Sequence, residues 1–212
     1  MSVADAIRTR RSIRHYRNDP IPQETLDALL ELALEAPSSW NVQDRSIVVV
    51  TDADGRAGLE RAAHGQPHPR EAPVLLVFVA ETGKWRDDQH AVLAQARANQ
   101  AWNEEFAELH ATVRPLEFAG YERRGLLREN AIKNAMIAAT YVLLAATEAG
   151  LASSPMNGWD EAEVKKVIGI DDRDDLAIAV LVALGYPAEQ RRHPGRLPRP
   201  HSVFHQRYGA IA

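Results

Sequence analysis

Two clusters of arginine side chains are the part of the sequence best suited to chemistry. The first lies between Asp5 and Asp19, has no acidic residue inside it, and consists of Arg8, Arg10, Arg11, Arg14 and Arg17. The second lies near the end of the chain and consists of Arg191, Arg192, Arg196 and Arg199. A guanidinium group can bind two phosphate oxygens at once, and the Ser12 hydroxyl adds another donor. The clusters indicate a compact anionic ligand; a solvated basic face is the alternative for either cluster taken alone.

A second concentration of polar groups is the segment Pro37-Ser38-Ser39-Trp40-Asn41-Val42-Gln43. It places two hydroxyls, two side-chain amides and one large aromatic ring within a few residues, which suits a heteroaromatic ligand with donors and acceptors on its edge. An ordinary polar turn is the alternative, because Pro, Ser and Asn favour turns for local backbone reasons.

A third segment, Ser154-Pro155-Met156-Asn157-Gly158, reads as a compact loop. Gly158 would let the backbone approach a ligand closely. A simple connection between two elements is the other interpretation.

Residues that could catalyse a reaction without a cofactor are scarce. The chain has no cysteine, so redox chemistry would have to be carried by a bound group. His64 and His68 are separated by Gly65 and Pro67 and cannot share a helix face as metal ligands usually do, so we expect no metal site. Motifs typical of serine hydrolases, dinucleotide-binding folds and P-loop NTPases are absent from the sequence.

Length and charge narrow the class of protein. The chain has 212 residues and a formal net charge of −4, which fits one globular domain and argues against a broad nucleic-acid-binding face. A nucleic-acid module built on Arg8 to Arg17 is the least favoured alternative. The first residues lack the apolar core of a secretory signal, and no apolar run is long enough to span a bilayer, so we expect a cytoplasmic protein without membrane contact.

Helical patterns occur in five parts of the chain. Ser2 and Asp5 resemble a capping box for a helix over residues 3–10, and a second helix begins near Pro22 and ends before Pro37. Further helices are predicted over residues 90–110, over residues 130–148, and from Asp160 to Gly169. The helix over residues 130–148 is apolar on nearly every side, so a partner subunit is a plausible part of its surroundings.

Three short apolar runs predict β-strands over residues 47–51, 74–80 and 177–184, with both sheet faces covered because none of the runs alternates cleanly. Residues 81–130 form a helical excursion, which either covers a site or simply packs on the core. Residues 187–212 form a basic, proline-rich C-terminal arm. We assign all of residues 1–212 to a single domain.

Taken together, and in their order along the chain, these motifs closely resemble the nitroreductase family. They are Arg10-Arg11-Ser12-Ile13-Arg14, the Ala36 to Gln43 loop, the apolar helix ending at Gly150-Leu151, Pro155 to Gly158, Gly185-Tyr186-Pro187 and the basic arm. The resemblance implies a three-layer α+β fold with a mostly antiparallel central sheet covered by helices. It also implies an intertwined homodimer with two FMN sites at the subunit interface.

The resemblance assigns roles to particular residues. Arg10, Ser12 and a C-terminal arginine, Arg196 or Arg199, would hold the FMN phosphate with Arg11 beside them. Arg14 would face the pyrimidine edge of the flavin and stabilise its reduced form electrostatically. The remaining expected flavin contacts, some of them from the other subunit, are Pro37, Ser38, Ser39, Asn41, Gln66, His68, Pro155, Met156, Asn157 and Gly158.

The implied activity is transfer of hydride from NADH or NADPH, through FMN, to a nitroaromatic, quinone or similar electron-poor small molecule by a ping-pong mechanism. No protein nucleophile is needed, because the flavin carries the chemistry. Two alternatives remain: reductive dehalogenation or flavin-consuming chemistry on the same scaffold, and a non-catalytic FMN storage or sensor protein.

Overall fold

The computed structural model describes residues 1–210, which contain eight α-helices and four β-strands. The helices are α1 (Val3–Thr9), α2 (Gln23–Leu34), α3 (Ala53–Ala62), α4 (His68–Glu71), α5 (His90–Ala98), α6 (Glu104–Arg123), α7 (Leu127–Glu148) and α8 (Glu161–Val167). The strands are β1 (Arg45–Val50), β2 (Val74–Glu81), β3 (Ala152–Met156) and β4 (Leu176–Gly185). Within these residues, no helix is both long enough and apolar enough to cross a membrane.

The four strands form one antiparallel sheet in the order β1-β2-β4-β3. β2 and β4 lie at its centre and are buried along almost their whole length. The three predicted strands are confirmed with small shifts at their ends. The predicted loop at Pro155 and Met156 is wrong, because both residues belong to β3, where Pro155 is opposite Val182 and Met156 is opposite Leu181.

Helices cover both faces of the sheet, so the fold has three layers. Leu76 and Phe78 of β2 pack against α2 and α7, whereas Leu75 and Val77 pack against α3 and α8. This alternation follows from the period of two in a strand. The arrangement confirms the predicted three-layer α+β fold with an antiparallel central sheet.

The long apolar helix, α7, supports one face of the sheet. It begins three residues before the predicted start and ends at Glu148 as predicted, and Gly150 follows in the left-handed region with φ of 75°. Small buried residues such as Ala135 and Ala138 let it lie close to the strands. Tyr141 stays 40% exposed, so part of α7 is uncovered in the single chain.

The excursion over residues 81–130 is built differently from the prediction. The prediction of one continuous helix over residues 90–110 is wrong. Helix α5 ends at Ala98, and Gln100 adopts a left-handed conformation with φ of 54°. Asn103 then caps α6 by accepting a hydrogen bond from the Phe106 N–H at 2.9 Å.

The segment between α1 and α2 runs along the free edge of β3. Ser12 forms a parallel bridge with Ser153, and Tyr16 forms an antiparallel bridge with Pro187. The C-terminal arm therefore starts beside the N-terminal segment. Residues 211 and 212, which the predicted arm included, lie outside the described residues.

Candidate functional site

Arg10 is the centre of a cluster of positive charge. It follows the last residue of α1 and is half-buried, and its Nη1 lies 3.5 Å from Ser12 Oγ. Burial lowers the pKa of Arg10, and repulsion from Arg11 and Arg196 lowers that pKa further. The structure thus brings arginines from the two ends of the chain together.

No carboxylate of residues 1–210 forms an ion pair with the arginines of this cluster. Within residues 1–210, Arg11 donates to the backbone oxygens of Arg8 and Arg10, and Arg196 donates to the Gly195 oxygen, but Arg10, Arg11 and Arg196 form no ion pair. We name Arg10, Arg11, Ser12 and Arg196 the cationic cluster. Unpaired guanidinium groups beside a hydroxyl are suited to bind a phosphate group.

Backbone pairing fixes the position of the arm relative to this cluster. The Arg17 N–H donates to the Tyr186 oxygen at 2.9 Å, and the Ala188 N–H donates to the His15 oxygen at 2.9 Å. Glu189 extends the connection, because its Oε1 accepts from the Arg14 N–H at 2.7 Å. A hydrogen bond from Arg191 and those from the backbone of Arg14 and His15 lower the pKa of Glu189 to about 2.

His193 was not predicted but lies beside the cationic cluster. The Gly195 N–H donates to His193 Nδ1 at 2.8 Å, so the proton of the neutral ring is on Nε2. Loss of hydration, together with the charges of Arg11 and Arg196, lowers the pKa of His193. Arg199, the other candidate for phosphate binding, lies in a short 3₁₀ turn (Arg199–His201).

Two buried polar atoms near this edge of the sheet lack partners. Ser153 is 1% exposed; its carbonyl accepts from the Ile13 N–H at 3.3 Å, but its Oγ has no partner. His68 is 2% exposed, and its Nδ1 is also unpartnered. Burial lowers the pKa of His68, and the charge of Arg14 lowers it further. Unpaired buried polar atoms are uncommon, and a bound water, ion or ligand is one explanation for them.

Gln66 joins two of the predicted segments. Its Nε2 donates to the Ala63 oxygen at 3.2 Å and to the Gly158 oxygen at 3.1 Å. Gly158 has φ of 85°, a conformation that glycine adopts at little cost, and Asn157 before it is exposed. Gln66 and Gly158 are therefore neighbours, with Asn157 next to Gly158 in the chain.

We name residues 37–43 the ring loop. Three residues of this loop have a backbone in the left-handed region, which residues other than glycine seldom adopt. They are Trp40, Asn41 and Gln43, with φ of 53°, 52° and 55°. Ser38 Oγ accepts from the Gln43 N–H at 2.8 Å, which closes the loop on itself. The Ser39 N–H donates to Asn134 Oδ1 of α7 at 3.4 Å.

Helix α6 holds the ring loop from outside. Trp40 Nε1 donates to Glu117 Oε2 at 2.8 Å, and His110 Nε2 donates to the Trp40 oxygen at 3.1 Å. The Trp40 ring stacks on Phe106 with 5.9 Å between centroids. Burial and the charge of Arg114 lower the pKa of His110, which favours the neutral ring.

The ring loop and the cationic cluster lie toward opposite ends of α7. Asn134 contacts the ring loop, whereas Ser12 pairs with Ser153, just beyond the end of α7 at Glu148. A rise of 1.5 Å per residue places Asn134 and Glu148 about 21 Å apart along the helix. The contacts of the ring loop and of the N-terminal segment that carries the cluster therefore lie toward opposite ends of α7.

Comparisons with known proteins identify the family of the chain. A family model described as "Nitroreductase family" matches residues 7–186. A protein of Thermus thermophilus named "NADH dehydrogenase" is 40% identical over 190 residues, which cover 89% of this chain and 88% of that protein.

Two solved structures share the fold. The nitroreductase family protein from Streptococcus pneumoniae superposes with a TM-score of 0.81 at 24% identity and covers 97% of this chain and 100% of its own. A protein from Exiguobacterium sibiricum, solved in complex with FMN, superposes with a TM-score of 0.84 at 20% identity. The match covers 97% of this chain and 98% of that protein.

Proposed function

The chain belongs to the nitroreductase family, and from this premise we infer that it is an FMN-dependent oxidoreductase that takes electrons from NADH or NADPH. The observation that carries the inference is the cationic cluster. Its guanidinium groups come from both ends of the chain and have no carboxylate partner within the described residues. A terminal phosphate monoester is the ligand that such a cluster fits, and FMN has one.

The residues present fit FMN. Arg10, Ser12 and Arg196 would bind the phosphate, with Arg11 and His193 beside them. Arg196 is favoured over Arg199, because Arg196 is the C-terminal arginine whose charge acts on Arg10.

The flavin ring would lie beyond the phosphate, along the edge of β3. Arg14 would face its pyrimidine edge, near His68 and Gln66. Backbone N–H groups between Pro155 and Gly158, including those of Met156 and Asn157, would face the reactive side of the ring, and Gly158 allows the closest approach.

A second copy of the chain would complete each site. The ring loop, with Pro37, Ser38, Ser39 and Asn41, contacts the end of α7 opposite to the one near the cationic cluster of the same chain, so these residues would reach the flavin of the partner. Exposed apolar side chains on α1, α2 and α7 support a homodimer: Val3 is 68% exposed, Leu32 48% and Tyr141 40%.

FMN, when bound, supplies the capacity to accept a hydride and to pass it on. The protein contributes binding, orientation and charge. The guanidinium of Arg14 is exposed in the single chain, and its charge would act more strongly on a ring that covers it and excludes water. The nicotinamide and an electron-poor acceptor, such as a nitroaromatic or a quinone, would use the same open face in turn, which gives ping-pong kinetics.

The absorption spectrum of the purified protein, before and after anaerobic NADH or NADPH, tests this function. We expect a yellow protein that releases FMN on denaturation and is bleached by at least one nicotinamide. Tight FMN binding without bleaching would support a storage or sensor protein instead. A colourless protein that cannot be reconstituted with FMN would refute the assignment.

A further inference from the structure

Two oppositely charged residues, Asp44 and Arg45, lie next to each other at the junction between the ring loop and β1. Both are buried, with exposed fractions of 2% and 8%. A buried charge costs free energy unless hydrogen bonds and an opposite charge compensate it. The contacts of the two side chains therefore indicate what the fold gains by keeping them.

The guanidinium of Arg45 holds the start of the ring loop. Its Nη2 donates to the Leu34 oxygen at 2.9 Å and to the Ala36 oxygen at 2.5 Å. Leu34 is the last residue of α2, and Ala36 comes directly before the loop. The last carbonyls of a helix have no partner inside the helix, and a cation at this end interacts favourably with the helix dipole. Arg45 therefore fixes where α2 ends and the loop begins.

The carboxylate of Asp44 supports the loop through Asn134 of α7. Asn134 Nδ2 donates to both carboxylate oxygens, at 2.8 and 3.0 Å, and Asn134 Oδ1 accepts from the Ser39 N–H at 3.4 Å. A side-chain amide has donors on one arm and an acceptor on the other. With the amide reversed, its oxygen would face a carboxylate and its NH₂ group would face an N–H. The carboxylate of Asp44 therefore fixes which way Asn134 points, and so which group it offers to Ser39.

Each of the two charges compensates the other. Burial raises the pKa of Asp44, although the hydrogen bonds from Asn134 and the charge of Arg45 act in the opposite direction. Burial lowers the pKa of Arg45, and the charge of Asp44 opposes this shift. Within residues 1–210, Nε and Nη1 of Arg45 are buried and have no hydrogen-bond partner. Loss of either residue alone would leave the other charge buried and uncompensated.

The ring loop needs such support, because its backbone is strained. Trp40, Asn41 and Gln43 all have a positive φ. Residues other than glycine keep this conformation only where the surrounding structure holds them in it. Arg45 supplies the support at the start of the loop, and Asn134 supplies it near the middle.

We propose that Asp44 and Arg45 are positioning residues: through Asn134 and the end of α2 they set the geometry of the ring loop, and so its fit to the flavin of the partner subunit. This proposal rests on the proposed function, because that function places the loop at a flavin. Neither side chain would touch the flavin, since both are buried within their own chain. Flavin affinity at one subunit would then depend on two charged groups inside the other.

Removal of both charges together separates positioning from stability. The double variant Asp44→Leu/Arg45→Met leaves neither charge uncompensated, and replacement of buried opposite charges by apolar side chains is often tolerated. It should therefore fold, which circular dichroism and thermal unfolding verify. It lacks the donor to the carbonyls of α2 and the acceptor for Asn134, so the ring loop should lose its support. Residues that only stabilised the fold would have no further effect.

Two measurements follow the loop and the flavin separately. Amide hydrogen exchange at Ser39, resolved by mass spectrometry with peptide fragmentation, should become about tenfold faster in the double variant, because a supporting hydrogen bond is lost. Titration should show about tenfold weaker binding of both FMN and riboflavin, which corresponds to about 1.4 kcal/mol. Both flavins should lose affinity equally, because the loop would contact the ring and not the phosphate.

Conservative variants should restore both properties. Asp44→Asn keeps an acceptor oxygen for Asn134, and Arg45→Lys keeps a donor for the two carbonyls at the end of α2, so each should stay close to the parent protein. Glu163→Leu/Lys166→Met removes an exposed ion pair of α8 and is the matched control, which should change neither property. If the double variant at positions 44 and 45 does not fold, Arg45→Met compared with Arg45→Lys gives the same test.

A parent protein that does not bind FMN, or that NADH and NADPH do not bleach, would refute the proposed function, and hydrogen exchange at Ser39 would still test the support of the loop. With FMN bound by the parent, a folded double variant that keeps the parent's exchange rate at Ser39 or its affinity for both flavins would refute the positioning role. Weaker binding of FMN alone would refute it as well, because that loss would belong to the phosphate.

Discussion

At the scale of single residues, Arg10 gives the most direct test of the phosphate site. Arg10→Ala should weaken FMN binding by roughly 10- to 150-fold, because a charged hydrogen bond contributes about 1.5–3 kcal/mol. Riboflavin, which lacks the phosphate, should bind the variant and the parent protein alike. Titration of both flavins measures the difference, with Arg8→Ala as the control on the exposed side of α1. Equal losses for both flavins would place the phosphate elsewhere.

Glu189 gives a prediction about pH. Its pKa of about 2 is below the usual value of 4.5, so its contribution to folding is complete above about pH 4.5 and is lost as the pH falls toward 2. The parent protein should therefore be more stable than Glu189→Gln at pH 6, and the difference should shrink as the pH falls from 4.5 to 3.

Thermal unfolding of both proteins at each pH measures this difference. Glu31→Gln, on the exposed surface of α2, should show no comparable dependence. A constant difference between pH 6 and pH 3 would mean that the contacts of Glu189 with Arg14, His15 and Arg191 do not stabilise the fold.

Residue types indicate the chemistry of the candidate site, but they do not show which other residues the fold brings next to it. Guanidinium groups close in sequence to the Ser12 hydroxyl indicate a compact anionic ligand, but a solvated basic face is the alternative for either cluster taken alone. The choice between Arg196 and Arg199 depends on the path of an arm with no hydrophobic periodicity, so the sequence leaves it open. His193 and Ser153 were missed for a similar reason, since their partners are distant in the chain or absent.

At the scale of elements, the contact between α6 and the ring loop is the one to test. Glu117 accepts from Trp40 Nε1 and from the Tyr121 hydroxyl. Glu117→Ala should increase amide hydrogen exchange in residues 38–43, because a hydrogen bond to a charged group contributes about 1.5–3 kcal/mol.

Mass spectrometry of peptides that span the ring loop measures this exchange. Glu117→Gln, which keeps an acceptor oxygen, should recover much of the protection, and Glu108→Ala on the exposed face of α6 should have no effect. Unchanged exchange in Glu117→Ala would show that the loop is held by its own hydrogen bonds.

Helices and strands with a strong local sequence pattern could be predicted from the sequence. Those that form because of contacts with distant parts of the chain could not. α7 could be read from its apolar run and Gly150. α3 was missed because it contains Gly55 and Gly58, which are poor helix formers. Gly58 serves packing, since a Cβ at this position would lie 2.8 Å from Val167 of α8. β3, with the sequence Ala-Ser-Ser-Pro-Met, is a strand because it pairs with β4.

At the scale of the whole molecule, FMN binding and dimerisation should be coupled. If the ring loop of one subunit completes the site of the other, FMN binds the dimer and stabilises it by about 2.7 kcal/mol at a hundredfold excess over Kd. Saturating FMN should raise the thermal midpoint and suppress dissociation on dilution. Analytical ultracentrifugation with and without FMN measures this coupling. A monomer that keeps FMN with undiminished affinity and oxidises NAD(P)H would show that one chain holds a complete site.

The proximity of Arg10 to Arg196, far apart in the sequence, also has a consequence for biosynthesis. The strands and the helices that cover them are complete at Gly185, so a chain emerging from the ribosome can form its layered core before Arg196 has been made. If Arg196 helps to hold the phosphate, that site forms only after residue 196 has been translated. A chain that stops before Arg196 would then fold its layered core but bind FMN more weakly than the full chain.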